Sequence, residues 1–167
     1  AGAFTNLTRD HLDYHGSLEA YREAKMRLFQ RMLPGRAPVV ASTALDGDSL
    51  ATLRRIAHRR RLALQLVGEG GETIDLRRAV PRADGQMLEL VVDGTRHEVL
   101  LPLPGRFQAD NALVAAALAR VTGAEDAIAH LAGLAGVRGR MELAARLANG
   151  AAVYVDFAHT PDALARL

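Results

Sequence analysis

The chain has 167 residues, of which 49% are hydrophobic and 24% are charged, and its formal net charge is +2. This length suits one globular domain, or one domain with part of a second. The absence of cysteine excludes disulfides, cysteine nucleophiles and thiolate metal sites. No apolar run approaches the ~20 residues of a membrane span, and no signal-peptide pattern opens the chain. We therefore expect a cytoplasmic protein without a membrane partner.

The first predicted helix begins after Ser17, a favourable N-cap, and carries Glu19 in its first turn. Pro34-Gly35 is a stop signal for this helix. Its apolar residues recur at helical spacing and form one stripe: Leu18, Tyr21, Leu28, Phe29 and Met32.

A parallel β-α-β unit is predicted next. Residues 37–41 form a short apolar run typical of a buried strand, and residues 61–68 form a second one. Between them, residues 48–59 predict an amphipathic helix with four inward-facing residues: Leu50, Leu53, Ile56 and Ala57. Strands that alternate with a helix favour parallel pairing.

The middle of the chain predicts a small antiparallel meander. Its strand-like runs are "EGGETIDLRRAV", "QMLELVVDG" and "RHEVLLPL". They are separated by Gly70-Gly71, Asp84-Gly85 and Asp93-Gly94, and such dipeptides are typical of hairpin turns.

The last third returns to helix and ends in a hairpin. Residues 107–123 predict a helix that stops at Gly123, and a second helix is predicted over residues 124–131. "GVRGRMEL" is a glycine-punctuated linker, followed by two strands around Asn149-Gly150. Thr160 and Pro161 are the N-cap and first residue of a last helix.

Lys25 is the only lysine in the chain, since the other 20 cationic residues are arginine. It falls on the apolar stripe of the first helix, where a lysine ordinarily buries its stem and extends its amine to water. Alternatively, poor solvation leaves part of the amine neutral and nucleophilic. Arginine, which stays protonated, cannot serve that purpose.

The segment "NLTRDHLDYHG" is a second candidate site. If it is helical, His11 and His15 share a face and can bind a metal ion together with Asp10 or Asp13. A polar loop with exposed histidines explains the same pattern. A zinc hydrolase is therefore one alternative function. A nucleic-acid binder using "LRRIAHRRR" is another, although that run is typical of a solvated helix face.

Four motifs occur in the order found in Mur ligases, and the chain resembles that family from residue 4 to residue 164. The motifs are "NLTRDHLDYHGSLEAYREAKMRLF", "LPLPGRFQADNALVAAALA", "GVRGRME" and "VDFAHTPDAL". Mur ligases are ATP-dependent enzymes of bacterial peptidoglycan synthesis. "HLDYHG" and "AHTPDAL" are most similar to the member that adds the third amino acid of the stem peptide. A folylpolyglutamate or cyanophycin synthetase is a related alternative.

The resemblance implies that Lys25 reacts with CO₂ to form a carbamate. It further implies that this group and His11 bind Mg²⁺. Oxygen ligands of this kind suit a hard cation.

The resemblance also implies a nucleotide site. Asn111 corresponds to the residue that contacts the adenine of ATP, and Gln108 replaces the family's usual asparagine nearby. Arg140, Asp156 and His159 correspond to positions near the ribose and phosphates. Without the resemblance, an asparagine in the first turns of a helix is common for local structural reasons.

We expect the chain to be part of a longer protein, because it contains no G-x-x-x-x-G-K-[ST] phosphate-binding motif. Residues 1–139 resemble the later part of a central ATPase domain, with a mostly parallel α/β sheet. Residues 140–167 resemble a linker and the first strand and helix of a Rossmann-like terminal domain. The implied enzyme is a monomer that joins meso-diaminopimelate, or less favourably L-lysine, to a UDP-sugar dipeptide. We expect the 167-residue chain alone to be inactive.

Overall fold

The computed structural model describes residues 1–8, 12–165 and 167. Within these residues, six strands form one sheet in the order of the chain. They are β1 (Gly2–Phe4), β2 (Pro38–Ser42), β3 (Ala63–Gly68), β4 (Ile74–Arg82), β5 (Gly85–Val92) and β6 (Thr95–Leu101). The pairs from β1 to β4 are parallel, and β5 and β6 add antiparallel pairs. The predicted α/β class with a mostly parallel sheet is confirmed.

Strand β1 was not predicted. Its residues pair in parallel with Val39, Val40 and Ala41 of β2. A strand of three residues is too short to show an alternating pattern, so only the neighbouring strand reveals it.

The first predicted helix is confirmed over α2 (Leu18–Arg27), after the short helix α1 (Leu12–His15). Ser17 Oγ accepts a hydrogen bond from the Ala20 N–H at 3.1 Å, as expected of an N-cap. From Leu28 to Met32 the chain continues as a π-helix. The extra residue per turn rotates the following side chains, so Met32 is 74% exposed. Its predicted place on the buried stripe is therefore wrong.

The predicted β-α-β unit is confirmed by β2, α3 (Gly47–Arg60) and β3. Asp46 is the N-cap of α3, and its Oδ1 accepts a hydrogen bond from the Ser49 N–H at 2.9 Å. Three of the predicted inward-facing residues are buried and Leu50 is partly buried; the buried ones are Leu53, Ile56 and Ala57.

The meander is confirmed for β4 to β6, but Gly70-Gly71 does not form a hairpin. Instead, Val67 and Ile74 pair in parallel. The Thr73 N–H donates to the Leu66 carbonyl at 3.0 Å, which holds the returning chain beside the end of β3. The meander is therefore continuous with the parallel sheet.

Helix α4 (Arg106–Arg120) confirms the predicted helix of the last third. The predicted second helix over 124–131 is wrong, because the chain forms turns and then a 3₁₀-helix over Ala129–Gly133. The N–H groups in this region bond three residues back, as Leu131 does to Ile128. Ile128 and Leu131 are nevertheless buried, so the segment still covers the core.

Helices cover both faces of the sheet. Val39 and Ala41 of β2 face a core shared with α2 and α3, whereas Val40 faces a second core that includes α4. This alternation along one strand explains why residues 38–41 of β2 are all apolar.

A separate hairpin follows, with β7 (Glu142–Arg146) antiparallel to β8 (Ala152–Val155), as predicted. Thr160 Oγ1 accepts from the Ala163 N–H at 3.2 Å and caps α5 (Pro161–Leu164). None of the helices in the described residues is both long and apolar enough to cross a bilayer.

Candidate functional site

A cleft of about 400 Å³ lies at the carboxyl ends of β1 and β2. Thr5 and Asn6 follow β1 into the cleft, and Ser42 ends β2 beside them. Small-molecule sites have volumes in this range. In open α/β sheets, ligands bind at this end of the strands.

One wall of the cleft is formed by the first turns of α4, through Phe107, Gln108 and Asn111. Gly105 precedes this helix with a φ of 89°. A Cβ atom at Gly105 would lie only 2.9 Å from the Phe107 ring. Glycine therefore permits both the backbone turn and the close approach of the ring.

A second wall is formed by the linker and the residues that follow β8, through Arg140, Asp156 and Ala158. Asp156 Oδ2 accepts a hydrogen bond from the Met141 N–H at 2.8 Å, and Oδ1 accepts from the Ala158 N–H at 2.7 Å. Both carboxylate oxygens thus hold the backbone of this wall in place.

The two walls are joined by a side chain. Gln108 Nε2 donates to the Arg140 carbonyl oxygen at 3.3 Å. This hydrogen bond connects two parts of the cleft lining that are about 30 residues apart in the chain.

The structure brings together four of the five residues predicted to bind the nucleotide: Gln108, Asn111, Arg140 and Asp156. His159 is not among the lining residues, and its Nδ1 lies 2.8 Å from the Phe157 carbonyl oxygen. Sequence reasoning missed the polar residues at the strand ends and two in α4: Thr5, Asn6, Thr8, Ser42, Phe107 and Asp110. Recognising β1 as a strand would have indicated the first three.

Arg106 lies at the start of α4, 2.8 Å from Glu69 and 3.3 Å from Asp110 of the cleft. Burial of Arg106 opposes its charge. The hydrogen bond with Glu69 and the negative charge of Asp110 outweigh that effect and raise the pKa of the guanidinium above its ordinary value. Arg106 therefore stays charged, and its ion pairs with Glu69 and Asp110 stabilise the start of α4.

Lys25 lies on α2, half-buried, with its Nζ 4.7 Å from the centre of the Tyr21 ring. The His15 ring also contacts Tyr21, on which it stacks with the centroids 4.6 Å apart. The predicted partner His11 and the neighbouring Asp10 lie outside the described residues. In residues 1–8, 12–165 and 167, no cluster of three or more histidine, aspartate or glutamate side chains could bind a metal ion.

Asp46 is held in a second polar network, between α2 and α3. Arg22 Nε donates to Ser49 Oγ at 3.0 Å, and an Arg22 amino group lies 3.3 Å from Asp46 Oδ1. Burial opposes ionisation of Asp46. The hydrogen bonds from Ser49 and the charge of Arg22 outweigh it, so the pKa of Asp46 lies below its ordinary value.

Comparisons with known proteins agree with this arrangement. Residues 1–119 match the family described as "Mur ligase middle domain". The UDP-N-acetylmuramoyl-L-alanyl-D-glutamate–2,6-diaminopimelate ligase of Chelativorans sp. (strain BNC1) is 43% identical over 166 residues, which are 98% of this chain and 34% of that protein. The chain thus spans about a third of the length of the curated relatives it matches.

Solved structures show the same fold. A UDP-N-acetylmuramoyl-L-alanyl-D-glutamate–2,6-diaminopimelate ligase matches with a TM-score of 0.74 and 29% identity, over 97% of this chain and 33% of that one. MurF from Acinetobacter baumannii matches with a TM-score of 0.83 and 21% identity, over 98% of this chain and 35% of that one. The family match covers well over half of the sequence, and the chain belongs to the Mur ligase family.

Proposed function

We propose that this chain is the later part of the ATP-binding domain of a longer ligase. The ligase adds meso-diaminopimelate to UDP-N-acetylmuramoyl-L-alanyl-D-glutamate during peptidoglycan synthesis. The amino-acid substrate is supported by the name of the relative that is 43% identical over nearly the whole chain. The observation that carries the proposal is the convergence of Gln108, Asn111, Arg140 and Asp156 on one cleft at the ends of parallel strands.

The lining of the cleft suits ATP. The exposed amide of Asn111 can pair with the adenine edge through a donor and an acceptor. The Phe107 ring beside it offers a stacking surface for a base, and the exposed Arg140 guanidinium matches phosphate oxygens. Asp156 contributes indirectly, because its carboxylate accepts hydrogen bonds from the Met141 and Ala158 N–H groups and so holds the backbone of the cleft wall in place.

In this proposal, Lys25 is carbamylated and binds Mg²⁺ together with His11. An ammonium repels a cation, whereas a carbamate offers two anionic oxygens of the kind that Mg²⁺ prefers. The donor chemistry therefore suits the ion only after Lys25 is modified. When bound, the ion offsets negative charge between the nucleotide and the attacking carboxylate.

The proposed reaction has two steps. The D-glutamyl carboxylate attacks the γ-phosphorus of ATP, which forms an acyl phosphate and releases ADP. The neutral amine of meso-diaminopimelate then attacks the acyl carbon, loses a proton and expels inorganic phosphate. The cleft residues contribute by holding the nucleotide in line for the first step.

The proposal divides the chain at the linker. Residues 1–139 belong to the central domain, and residues 140–167 begin the terminal domain. The separation of the β7–β8 hairpin from the six-stranded sheet supports this division. We further propose that the enzyme is monomeric and acts in the bacterial cytoplasm, where its substrate ATP is available.

The test is ligation by the full-length protein that contains this chain. We expect ADP release that requires both the UDP-sugar dipeptide and meso-diaminopimelate, with one amide formed per ADP. L-Lysine replaces meso-diaminopimelate in a matched reaction and is expected to give little product. ADP release that is independent of the dipeptide, or equal use of L-lysine, would contradict the proposal.

A further inference from the structure

The segment that leads into α4 contains two prolines and carries the first cleft residues. It runs from β6 through Pro102, Leu103, Pro104 and Gly105 to Arg106. Proline has no backbone N–H, so this segment cannot extend the sheet with a regular ladder. The Leu103 and Gly105 carbonyl groups of this segment each accept a hydrogen bond from a residue of β5.

Gln86 supplies both donors. Its side-chain Nε2 donates to the Leu103 carbonyl at 2.7 Å and to the Gly105 carbonyl at 2.8 Å. The residue is only 3% exposed, although glutamine is mostly found at protein surfaces. The amide has two N–H groups, and each is matched to one carbonyl.

The start of β5 is shaped to bring Gln86 into reach. Gly85 lies so close to the opposing strand that an added Cβ would be 2.1 Å from the Leu101 carbonyl oxygen. Gln86 pairs with Leu101 in the β5–β6 ladder, one residue before the proline segment begins. The side chain therefore crosses from the sheet directly to the entry of α4.

The second of these carbonyls belongs to Gly105, the N-cap residue of α4. The Gly105 carbonyl also accepts the Gln108 N–H at 3.0 Å, so it serves both Gln86 and the first turn of α4. Gln108 in turn reaches the Arg140 carbonyl across the cleft. A continuous set of hydrogen bonds thus links Gln86 to both walls of the cleft.

We propose that Gln86 is a positioning residue for nucleotide binding: it sets the angle at which α4 presents Phe107, Gln108 and Asn111 to the cleft. This inference rests on the proposed function, because it assigns the cleft to ATP. Gln86 does not line the cleft, so it acts on the nucleotide only through the Leu103–Gly105 segment. The positioning role therefore predicts a change in the KM for ATP and not in the KM values of the other two substrates.

The test is steady-state kinetics of the full-length ligase with ATP, the UDP-sugar dipeptide and meso-diaminopimelate varied in turn. Gln86→Met keeps the volume and removes the donors. Its KM for ATP is expected to rise about tenfold, comparable to the loss of one hydrogen bond. The two other KM values and kcat are expected to stay within about twofold, as for a loss of uniform binding.

Gln86→Glu is a second variant. Its carboxylate has the same shape as the glutamine amide, but it places an acceptor oxygen, which cannot donate, against the two carbonyl oxygens. It is expected to raise the ATP KM at least as much as Gln86→Met.

The control is Leu88→Ala, which removes a buried side chain from the same strand and should lower stability without a selective change in ATP KM. Amide hydrogen exchange at Gln108 is a readout that does not depend on activity, and it should accelerate in both Gln86 variants.

An unchanged ATP KM in active Gln86 variants, or an equal rise in all three KM values, would overturn the positioning role while leaving the proposed function intact. Wild-type protein without ATP-dependent ligation would instead overturn the proposed function, and the positioning role with it.

Discussion

Replacement of Asp156 tests how the wall of the cleft is held. Its two carboxylate oxygens accept the Met141 and Ala158 N–H groups at 2.8 and 2.7 Å. Hydrogen bonds to a charged group contribute about 1.5–3 kcal/mol each. Because Asp156 is half-buried and water can replace part of the loss, we take the lower value for each bond.

On this basis, Asp156→Ala should cost about 3 kcal/mol of local stability in the linker and the end of β8. Asp156→Asn keeps one acceptor oxygen but places an NH₂ group against the other N–H donor. It should therefore lose about half of that free energy.

Amide hydrogen exchange measures this local stability directly. A loss of about 3 kcal/mol corresponds to exchange that is about a hundredfold faster at Met141 and Ala158 in Asp156→Ala. The matched control is Asp126→Ala, at a surface aspartate whose carboxylate lies 2.9 Å from His130 and accepts no hydrogen bond from Met141 or Ala158. Unchanged exchange at both amides in Asp156→Ala would refute the role of the carboxylate as a backbone anchor.

Three further outcomes are expected. Because the pKa of Asp46 lies below its ordinary value of 3.8, its charge stabilises the fold above that pH and ceases to do so as the pH falls through the lowered pKa. Asp46→Asn should therefore lower the free energy of unfolding, measured by urea denaturation, by about 0.5 kcal/mol at pH 7. In strong acid, the substitution should leave it unchanged. Leu113→Ala removes a fully buried side chain of α4 and should cost about 2–5 kcal/mol in the same assay. In full-length protein labelled with ¹³C bicarbonate, the proposed carbamate signal should be present in wild type and absent in Lys25→Arg, since a guanidinium does not take up CO₂.

Local signals predicted most of the fold. Ser17 and Thr160 cap their helices as expected, and Asp93-Gly94 forms a two-residue turn between β5 and β6. These features depend on a few neighbouring residues, which the sequence displays directly.

The errors arose where tertiary contacts decide the local structure. The π-helix of residues 28–32 is followed by Leu33, whose carbonyl accepts a hydrogen bond of 2.8 Å from the Arg60 guanidinium. Arg60 is the last residue of α3. The α2 periodicity cannot reveal such a distant partner. Gly70-Gly71 has the composition of a hairpin turn, yet the next strand, β4, pairs in parallel with β3.

The candidate site shows the same division. Asn111, Arg140 and Asp156 belong to motifs whose resemblance to Mur ligases could be read from the sequence. Thr5 and Ser42 belong to no motif, and only the pairing of β1 with β2 brings them to the cleft. Gln86 resembles any polar residue of a strand until its two carbonyl partners are seen.

Equilibrium binding of a non-hydrolysable ATP analogue to the full-length protein tests the assignment of the cleft most directly. Asn111→Ala removes the amide at the cleft, whereas Gln30→Ala removes an amide from a helical segment outside it. We expect Asn111→Ala to weaken binding about tenfold, as the loss of an adenine contact implies, and Gln30→Ala to have no effect. Equal affinity of Asn111→Ala and the wild type for the analogue would contradict the assignment of this cleft to ATP.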